Sequence, residues 1–206
     1  MNAGLRLVVA TTNPHKLREI RGILNGTGVR VDGLEAFPAV AEPEETGATF
    51  AENARQKALY YSRLLGVTVV AEDSGLEIDG LGGEPGVQSA RYGGPAAETY
   101  PQKFALVYAG LRARGAMGSP ARFVCALAVA DGTNIRYEAR GTVEGRINDS
   151  PRGDGGFGYD PIFFYPPLGR TLAELDESQK ASVSHRGQAF RQLRDHLASH
   201  PAWLRR

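Results

Sequence analysis

Residues 5–24 read LRLVVATTNPHKLREIRGIL, and this stretch sets the fold class. Leu5–Ala10 is a short, mainly apolar run, typical of a strand that is buried on both faces. Thr11-Thr12-Asn13-Pro14 then interrupts the run. Asn13 is a good N-cap and Pro14 suits the first helical position, so a helix should begin here. Its apolar face is predicted to carry Leu17, Ile20 and Leu24.

The rest of the chain continues this alternation of strands and helices. A capping box at Thr49 and Glu52 predicts a helix to about Leu65. We expect strands over 29–34, 67–71, 76–78, 123–130, 134–147 and 159–165, and further helices over 101–112, after Thr171 and after Ser184. With no internal repeat and no linker, residues 1–206 are predicted to form one α/β domain with a mixed sheet.

Composition excludes several classes of function. The 20 arginines and four lysines nearly balance 23 acidic residues, leaving a net charge of +1, so neither nucleic acid nor a membrane is an expected partner. The single Cys125 and the lack of a signal sequence or a membrane-length apolar segment predict a cytoplasmic protein. Any binding of phosphate must therefore be local, and three lysines, Lys16, Lys57 and Lys180, lie in candidate sites.

The turn after the first strand is a candidate anion site. A helix N-terminus presents backbone N–H groups and a favourable dipole, and Lys16 adds a mobile charge. An ordinary strand-to-helix turn with a surface lysine is the alternative.

Carboxylates at the end of the strand over 67–71 are a second candidate. Glu72 and Asp73, with Glu42, Glu44 and Glu45 from an earlier loop, could supply oxygen ligands to Mg²⁺. Neighbouring strand residues point to opposite faces, so Glu72 and Asp73 enter one site only if the strand turns there. Two solvated acids beside a turn are the alternative.

Three further features have both structural and functional interpretations. Lys57 lies within the apolar stripe of its helix, where it either extends its amine to water or faces a cleft. Gly153–Gly158 matches the spacing of a dinucleotide fingerprint but precedes a predicted strand, which rejects that function and leaves Phe157 either to stack on a base or to cover the core. His185 and Arg186 lie unfavourably at a helix start unless an acceptor-rich ligand binds there.

Taken together, the motifs of this chain resemble those of the inosine triphosphate pyrophosphatase family, almost from end to end and in order. They are Thr11–Lys16, Glu44–Gly47, Asn53-Ala54 with Lys57, Glu72–Leu76, Leu81–Gly83, Pro85-Gly86, Ser89–Tyr92, Gly155–Pro161 and Ser184–Gly187. The resemblance implies hydrolysis of ITP, dITP and XTP to the monophosphate and pyrophosphate. It also implies a two-lobed α/β fold with a long central sheet, a cleft between the lobes, Mg²⁺ dependence and a homodimer.

The resemblance also implies roles for single residues. Asp73 matches the proton acceptor and a metal ligand, and Glu44 matches a second metal ligand, with Glu45 as the alternative. The triphosphate would contact Thr11, Thr12, Asn13, Pro14, His15, Lys16 and Lys57. Ser74 matches another substrate contact, and the base would be enclosed by Phe157, Gly158, Tyr159, Asp160, Lys180, His185 and Arg186. Thr12 replaces a glycine found in many members, which makes this turn less permissive.

Three other functions compete with this hypothesis. One is a nucleotide sensor that binds the same ligand without hydrolysing it, and another is a pyrophosphatase for modified pyrimidine nucleotides. A glycosidase that uses Glu72 and Asp73 is poorly supported, because adjacent residues rarely flank one substrate.

Overall fold

The computed structural model describes residues 6–38 and 40–200, and it begins with the predicted strand, turn and helix. Strand β1 is Arg6–Val9 and helix α1 is Pro14–Leu24. The Asn13 side chain accepts hydrogen bonds from the backbone N–H groups of His15 and Lys16, as expected of an N-cap. Leu5 of the predicted strand lies outside the described residues.

The sheet has seven strands in the order β2-β1-β3-β4-β5-β6-β7. The pairs of β1 with β2 and β3 are parallel, whereas those of β6 with β5 and β7 are antiparallel, so the predicted mixed sheet is confirmed. The strands after β1 are β2 (Arg30–Gly33), β3 (Val69–Ile78), β4 (Pro120–Asp131), β5 (Asn134–Ile147), β6 (Phe163–Tyr165) and β7 (Arg170–Thr171).

Four further α-helices lie within the described residues. They are α2 (Phe50–Leu65), α3 (Tyr100–Ala113), α4 (Glu177–Val183) and α5 (His185–Ser199). The capping box predicted for α2 is present, because Thr49 accepts from the Glu52 backbone and Glu52 from the Thr49 backbone. Thr171 and Glu174 also form a capping box, but it begins a 3₁₀ turn, Leu172–Glu174, in place of the helix expected after Thr171.

The structure corrects the prediction that the third strand breaks at Glu72–Gly75. Strand β3 runs without interruption from Val69 to Ile78. A glycine is needed at position 75 for close packing, since a Cβ there would lie 2.3 Å from Oγ of Ser89 and 2.7 Å from the carbonyl oxygen of Gly86. Gly75 therefore marks a close approach of two backbone segments and not a turn.

Two other predicted elements differ from the observed ones. The strand expected over 159–165 starts later, because Asp160–Ile162 forms a 3₁₀ turn around Pro161 before β6. Helix α4 was not predicted, although Asp176 and Gln179 form a capping box that signals it.

The chain divides into two compact units, each with its own hydrophobic core. Unit 1 comprises residues 1–73, 125–141 and 185–206, and unit 2 comprises 74–124 and 142–184. The core of unit 1 includes Leu7, Ile20 and Phe190, and that of unit 2 includes Leu76, Phe104 and Phe163. The single two-lobed domain with a cleft stays a prediction.

Among the described residues, no helix has both the length and the apolar character needed to cross a membrane.

Candidate active site

The loop between β1 and α1 is held by its own side chains. The backbone N–H of Asn13 donates to Oγ1 of Thr11 at 3.2 Å, and Oγ1 of Thr12 donates to Glu42 at 2.9 Å. Every described residue with positive φ is a glycine, so Thr12 occupies its position without strain. A pocket of about 790 Å³ lies beside this loop and is lined by Thr11–Pro14, part of α1 and residues of the segment 34–40. The predicted phosphate loop is therefore tied by hydrogen bonds and lies beside an open pocket.

Lys16 is paired with Glu72 in unit 1. Its Nζ lies 2.6 Å from Oε1 of Glu72, and Nη2 of Arg186 lies 3.5 Å from the same oxygen. Sγ of Cys125 donates to the other oxygen of Glu72 at 3.2 Å. Burial would raise the pKa of Glu72, but the charges of Arg186 and Lys16 hold it well below its usual range. Glu72 is thus an ionised, buried carboxylate between two cations.

Arg186 is itself buried, with 2% of its surface exposed. Its Nη1 donates to Oε2 of Glu19 at 3.0 Å. Burial would lower its pKa, but the nearby carboxylates of Glu72 and Glu19 raise it, so the guanidinium is charged. The structure therefore places Arg186 in an ion-pair cluster, and its contact with a purine base stays a prediction.

Asp73 points away from this cluster, as the alternation of β3 requires. Its Oδ2 accepts a 2.9 Å hydrogen bond from Nδ2 of Asn53, and both residues are buried. Asn53 and Lys57 are separated by one turn of α2, so both reach the same side of that helix. The Lys57 Nζ donates to the carbonyl oxygen of Glu72 at 3.4 Å and forms an ion pair with Glu45.

The electrostatic environment raises the pKa of Asp73 to about 6. Burial is the largest cause, and the negative charges of Glu45 and Glu72 add to it, whereas the Asn53 hydrogen bond and the Lys57 charge act in the opposite direction. A carboxylate with such a pKa accepts a proton near neutral pH more readily than an exposed aspartate does.

The two candidate glutamates of the preceding loop differ in their surroundings. Glu45 is half-buried, pairs with Lys57 and contributes to the raised pKa of Asp73. Glu44 is exposed. Within the described part of the chain, no three His, Cys, Asp or Glu side chains are grouped as a metal site. Mg²⁺ needs only one or two carboxylates when waters and substrate phosphates complete its shell, so these acidic residues fit it.

Unit 2 contains five of the residues predicted to hold the base, Phe157, Gly158, Tyr159, Asp160 and Lys180, whereas His185 and Arg186 belong to unit 1. Oδ2 of Asp160 accepts from the backbone N–H of Phe157 at 2.7 Å and pairs with Nζ of Lys180 at 2.5 Å. The same Nζ lies 4.4 Å from the centroid of the Phe157 ring, a cation–π contact. Phe157 remains 40% exposed, so its ring is available to stack on a planar ligand.

A tyrosine that was not predicted lies beside this loop. The Tyr100 ring meets the ring of Tyr159 edge-on, with centroids 5.4 Å apart. A Cβ at Gly158 would lie 3.6 Å from the Tyr100 hydroxyl oxygen, so the two are in close contact. The sequence carried no signal for this contact, whereas the i, i+4 spacing of Asn53 and Lys57 could have identified Asn53 beforehand.

Comparison with known proteins identifies the family. The profile of the Ham1 family matches residues 7–196. The chain belongs to the Ham1 family. A relative from Exiguobacterium sp., named dITP/XTP pyrophosphatase, is 46% identical over 92% of this chain and 95% of its own length. The family resemblance expected from the motifs is confirmed.

Solved Ham1 structures share the fold. A HAM1 protein from Coxiella burnetii superposes with a TM-score of 0.89 and 39% identity, covering 95% of this chain and 99% of its own. The Staphylococcus aureus Ham1 protein gives a TM-score of 0.85 and 35% identity over 95% of this chain and 99% of its own. The Ham1 fold therefore extends over nearly all of this sequence.

Proposed function

We propose that this protein hydrolyses non-canonical purine nucleoside triphosphates, namely ITP, dITP and XTP, to the nucleoside monophosphate and pyrophosphate. The observation that carries the proposal is Asp73, a buried carboxylate with a pKa of about 6, set between Asn53 and the Lys57–Glu45 pair. The names of the Ham1 relatives agree with it.

Asp73 acts on the attacking water in this proposal. The carboxylate orients a water molecule toward the α-phosphorus and accepts its proton as the new P–O bond forms and the bond to the pyrophosphate oxygen breaks. The Asn53 amide fixes the carboxylate through its hydrogen bond to Oδ2. Asp73 is thus the catalytic base of the reaction.

Lysines balance the charge of the triphosphate. Lys16, at the first turn of α1, and Lys57, in the middle of α2, would contact oxygens of the leaving pyrophosphate. The backbone N–H groups of residues 11–16 and the side chains of Thr11, Thr12, Asn13 and His15 would contact the phosphates together with Lys16, and Pro14 sets the helix start. Ser74, the residue after Asp73 on β3, is a further substrate contact in this proposal.

Glu44 and Asp73 would hold Mg²⁺. Burial is the main cause of the raised Asp73 pKa, and repulsion by Glu45 and Glu72 adds to it; a divalent cation would relieve that repulsion. When bound, the ion would neutralise phosphate charge and polarise the α-phosphoryl group.

Base selection would rest on stacking and hydrogen bonding. The exposed ring of Phe157 would stack on the purine, and Gly158, Tyr159 and Asp160 shape the loop that carries it. A 6-oxo purine presents an acceptor where adenine presents a donor, so N–H donors such as Lys180 and His185 favour the oxo form, whereas Arg186 is buried in its ion pairs with Glu19 and Glu72.

We further propose that the protein acts in the cytoplasm as a homodimer, without nucleic acid as a partner. The reduced state suits Cys125, which is buried and forms no disulfide. The near-zero net charge provides no field that would draw nucleic acid.

One assay tests the activity and its substrate range. Purified protein with Mg²⁺ is given ITP, dITP, XTP, ATP, GTP and a modified pyrimidine triphosphate, and pyrophosphate and orthophosphate are measured separately. We expect pyrophosphate from ITP, dITP and XTP, little from ATP, and none when Asp73→Asn replaces the wild type. Orthophosphate as the released product would contradict the proposal.

The same assay separates the alternatives. Preference for the pyrimidine triphosphate would assign the protein to the related pyrophosphatases of modified pyrimidines. Tight ITP binding without turnover, unchanged in Asp73→Asn, would indicate a nucleotide sensor.

A further inference from the structure

Glu72 is the most buried carboxylate with cationic partners in the candidate site of unit 1, and the mechanism above gives it no task. Only 4% of its surface is exposed, so it does not meet substrate directly. Burying a carboxylate is costly unless cations and hydrogen bonds compensate it, and here Lys16, Arg186 and Cys125 do so.

The partners of Glu72 have different positions relative to solvent. The Arg186 side chain is 2% exposed, whereas the Lys16 side chain is 23% exposed. Arg186 therefore anchors the carboxylate from the interior, and Lys16 extends from the carboxylate toward solvent. An ammonium group has three N–H donors, so Lys16 can keep one on Glu72 and direct the others at a phosphate.

The cluster also connects elements that are distant in the sequence. Lys16 and Glu19 lie on α1, Glu72 on β3 and Arg186 on the first turn of α5. Arg186 contacts both Glu19 on α1 and Glu72 on β3, so it holds these two elements against each other. The position of Lys16 is therefore set by its own ion pair with Glu72 and by the Arg186 contacts that hold α1 against β3.

We propose that Glu72, anchored by Arg186, is a positioning residue that holds the Lys16 ammonium in the orientation that meets the leaving pyrophosphate. This inference rests on the proposed function and deepens it, since it assigns a residue that acts through Lys16 and not on the substrate. Asp73 and Glu72 then have separate tasks on opposite faces of β3. Asp73 acts on the attacking water, and Glu72 orients the lysine that meets the leaving group.

Replacing Glu72 with glutamine should separate orientation from binding. Glu72→Gln removes the charge that orients Lys16 and makes the site more positive by one unit. Attraction of the polyanionic substrate is therefore kept, so we expect KM for ITP within about threefold of wild type. Because the ammonium is no longer held at its place, kcat should fall about tenfold or more.

Two variants control for the loss of a buried charge. Asp32→Asn makes the same change of charge at another buried carboxylate of unit 1, which pairs with Arg6 and Arg30 and not with Lys16, so kcat should stay within about threefold of wild type. Glu72→Asp restores the charge with a shorter side chain, and we expect it to recover part of the lost kcat. A purely structural role for Glu72 would lower the melting temperature and leave kcat per folded active site unchanged.

A double-mutant cycle tests whether Glu72 acts through Lys16. In a Lys16→Met background, Glu72→Gln should change kcat by less than about threefold, because the group it positions is absent. If the kcat losses of Glu72→Gln and Lys16→Met multiply in the double variant, the two residues act independently and the proposal is overturned. If Glu72→Gln fails to fold, the cycle is measured with Glu72→Asp, and the same non-additivity is expected.

The wild-type protein is assayed first, so that the two proposals can be distinguished. If it releases no pyrophosphate from ITP, the proposed function and this inference both fail. If it does and Glu72→Gln keeps the wild-type kcat, only the positioning role of Glu72 is overturned.

Discussion

The side-chain amide of Asn53 donates a 2.9 Å hydrogen bond to Oδ2 of Asp73, and neither residue is more than 8% exposed. This bond favours the charged form of Asp73, yet burial and the charge of Glu45 prevail and raise its pKa to about 6. The site therefore holds Asp73, the proposed catalytic base, in a state that costs folding free energy above that pH.

Asp73→Asn should stabilise the metal-free protein in a pH-dependent way. The native carboxyl binds a proton more tightly than the unfolded one, so the free energy of unfolding falls as pH rises between about 4 and 6 and stays low above. An asparagine at position 73 does not titrate, so this loss of stability is absent, and its side-chain oxygen can still accept the hydrogen bond from Asn53. We expect a gain of up to about 3 kcal/mol at pH 8 and little change at pH 4.

Urea unfolding in EDTA at pH 4 and pH 8 measures this difference, and EDTA keeps bound metal from contributing. The same variant should have no detectable pyrophosphatase activity. An equal change of stability at both pH values would show that Asp73 has an ordinary pKa in the native state.

Lys57→Arg should reduce kcat/KM for ITP about tenfold or more, although it keeps the charge. The Lys57 ammonium fits between Glu45 and the carbonyl oxygen of Glu72, and a larger, planar guanidinium cannot occupy that place with the same contacts. Arg63→Lys is the matched control, because Arg63 is exposed on the same helix. Steady-state kinetics of both variants check the prediction, which near-wild-type activity of Lys57→Arg would refute.

The elements predicted correctly are those determined by local sequence. The N-cap at Asn13 and the capping box at Thr49 fix the starts of α1 and α2 through bonds within four residues. Strand β3 was misjudged at Glu72–Gly75 because acids and glycine normally disfavour strands. Here distant partners override that preference, since Arg186 neutralises Glu72 and Ser89 requires Gly75.

In the candidate site, too, local motifs were predicted and contacts between distant elements were not. The motifs predicted Asp73, Lys16 and Lys57, and the structure places all three in unit 1 with charged or polar partners. The buried pairing of Arg186 with Glu72 could not be predicted, because it depends on how α5 packs against the sheet and not on any local pattern.

Glu44→Gln and Glu45→Gln should differ in their dependence on Mg²⁺. Glu45 already pairs with Lys57, whereas Glu44 is exposed. We expect Glu44→Gln to raise the Mg²⁺ concentration for half-maximal activity about tenfold, the loss of about 1.4 kcal/mol of binding. Glu45→Gln should leave that concentration nearly unchanged. Magnesium titrations of both variants decide the ligand, and the reverse result would assign Glu45.

Gly156→Ala should weaken binding of the base with little effect on chemistry. Gly156 has φ of +71°, and a Cβ there would lie 2.3 Å from Oδ2 of Asp160 and 2.8 Å from Nζ of Lys180. The methyl group would therefore separate the pair that supports the Phe157 loop. We expect KM for ITP to rise about tenfold, equivalent to about 1.4 kcal/mol, with kcat within about threefold of wild type.

Gly169→Ala provides the matched control for backbone strain. Gly169 has a similar φ of +63°, but a Cβ there would meet no atom within 4 Å. Both variants should lose comparable stability from the left-handed backbone, about 1–2 kcal/mol, since that cost does not depend on the neighbours. Only Gly156→Ala should change KM. A rise of KM in both variants would show that general loosening of unit 2, and not the Asp160–Lys180 pair, controls binding of the base.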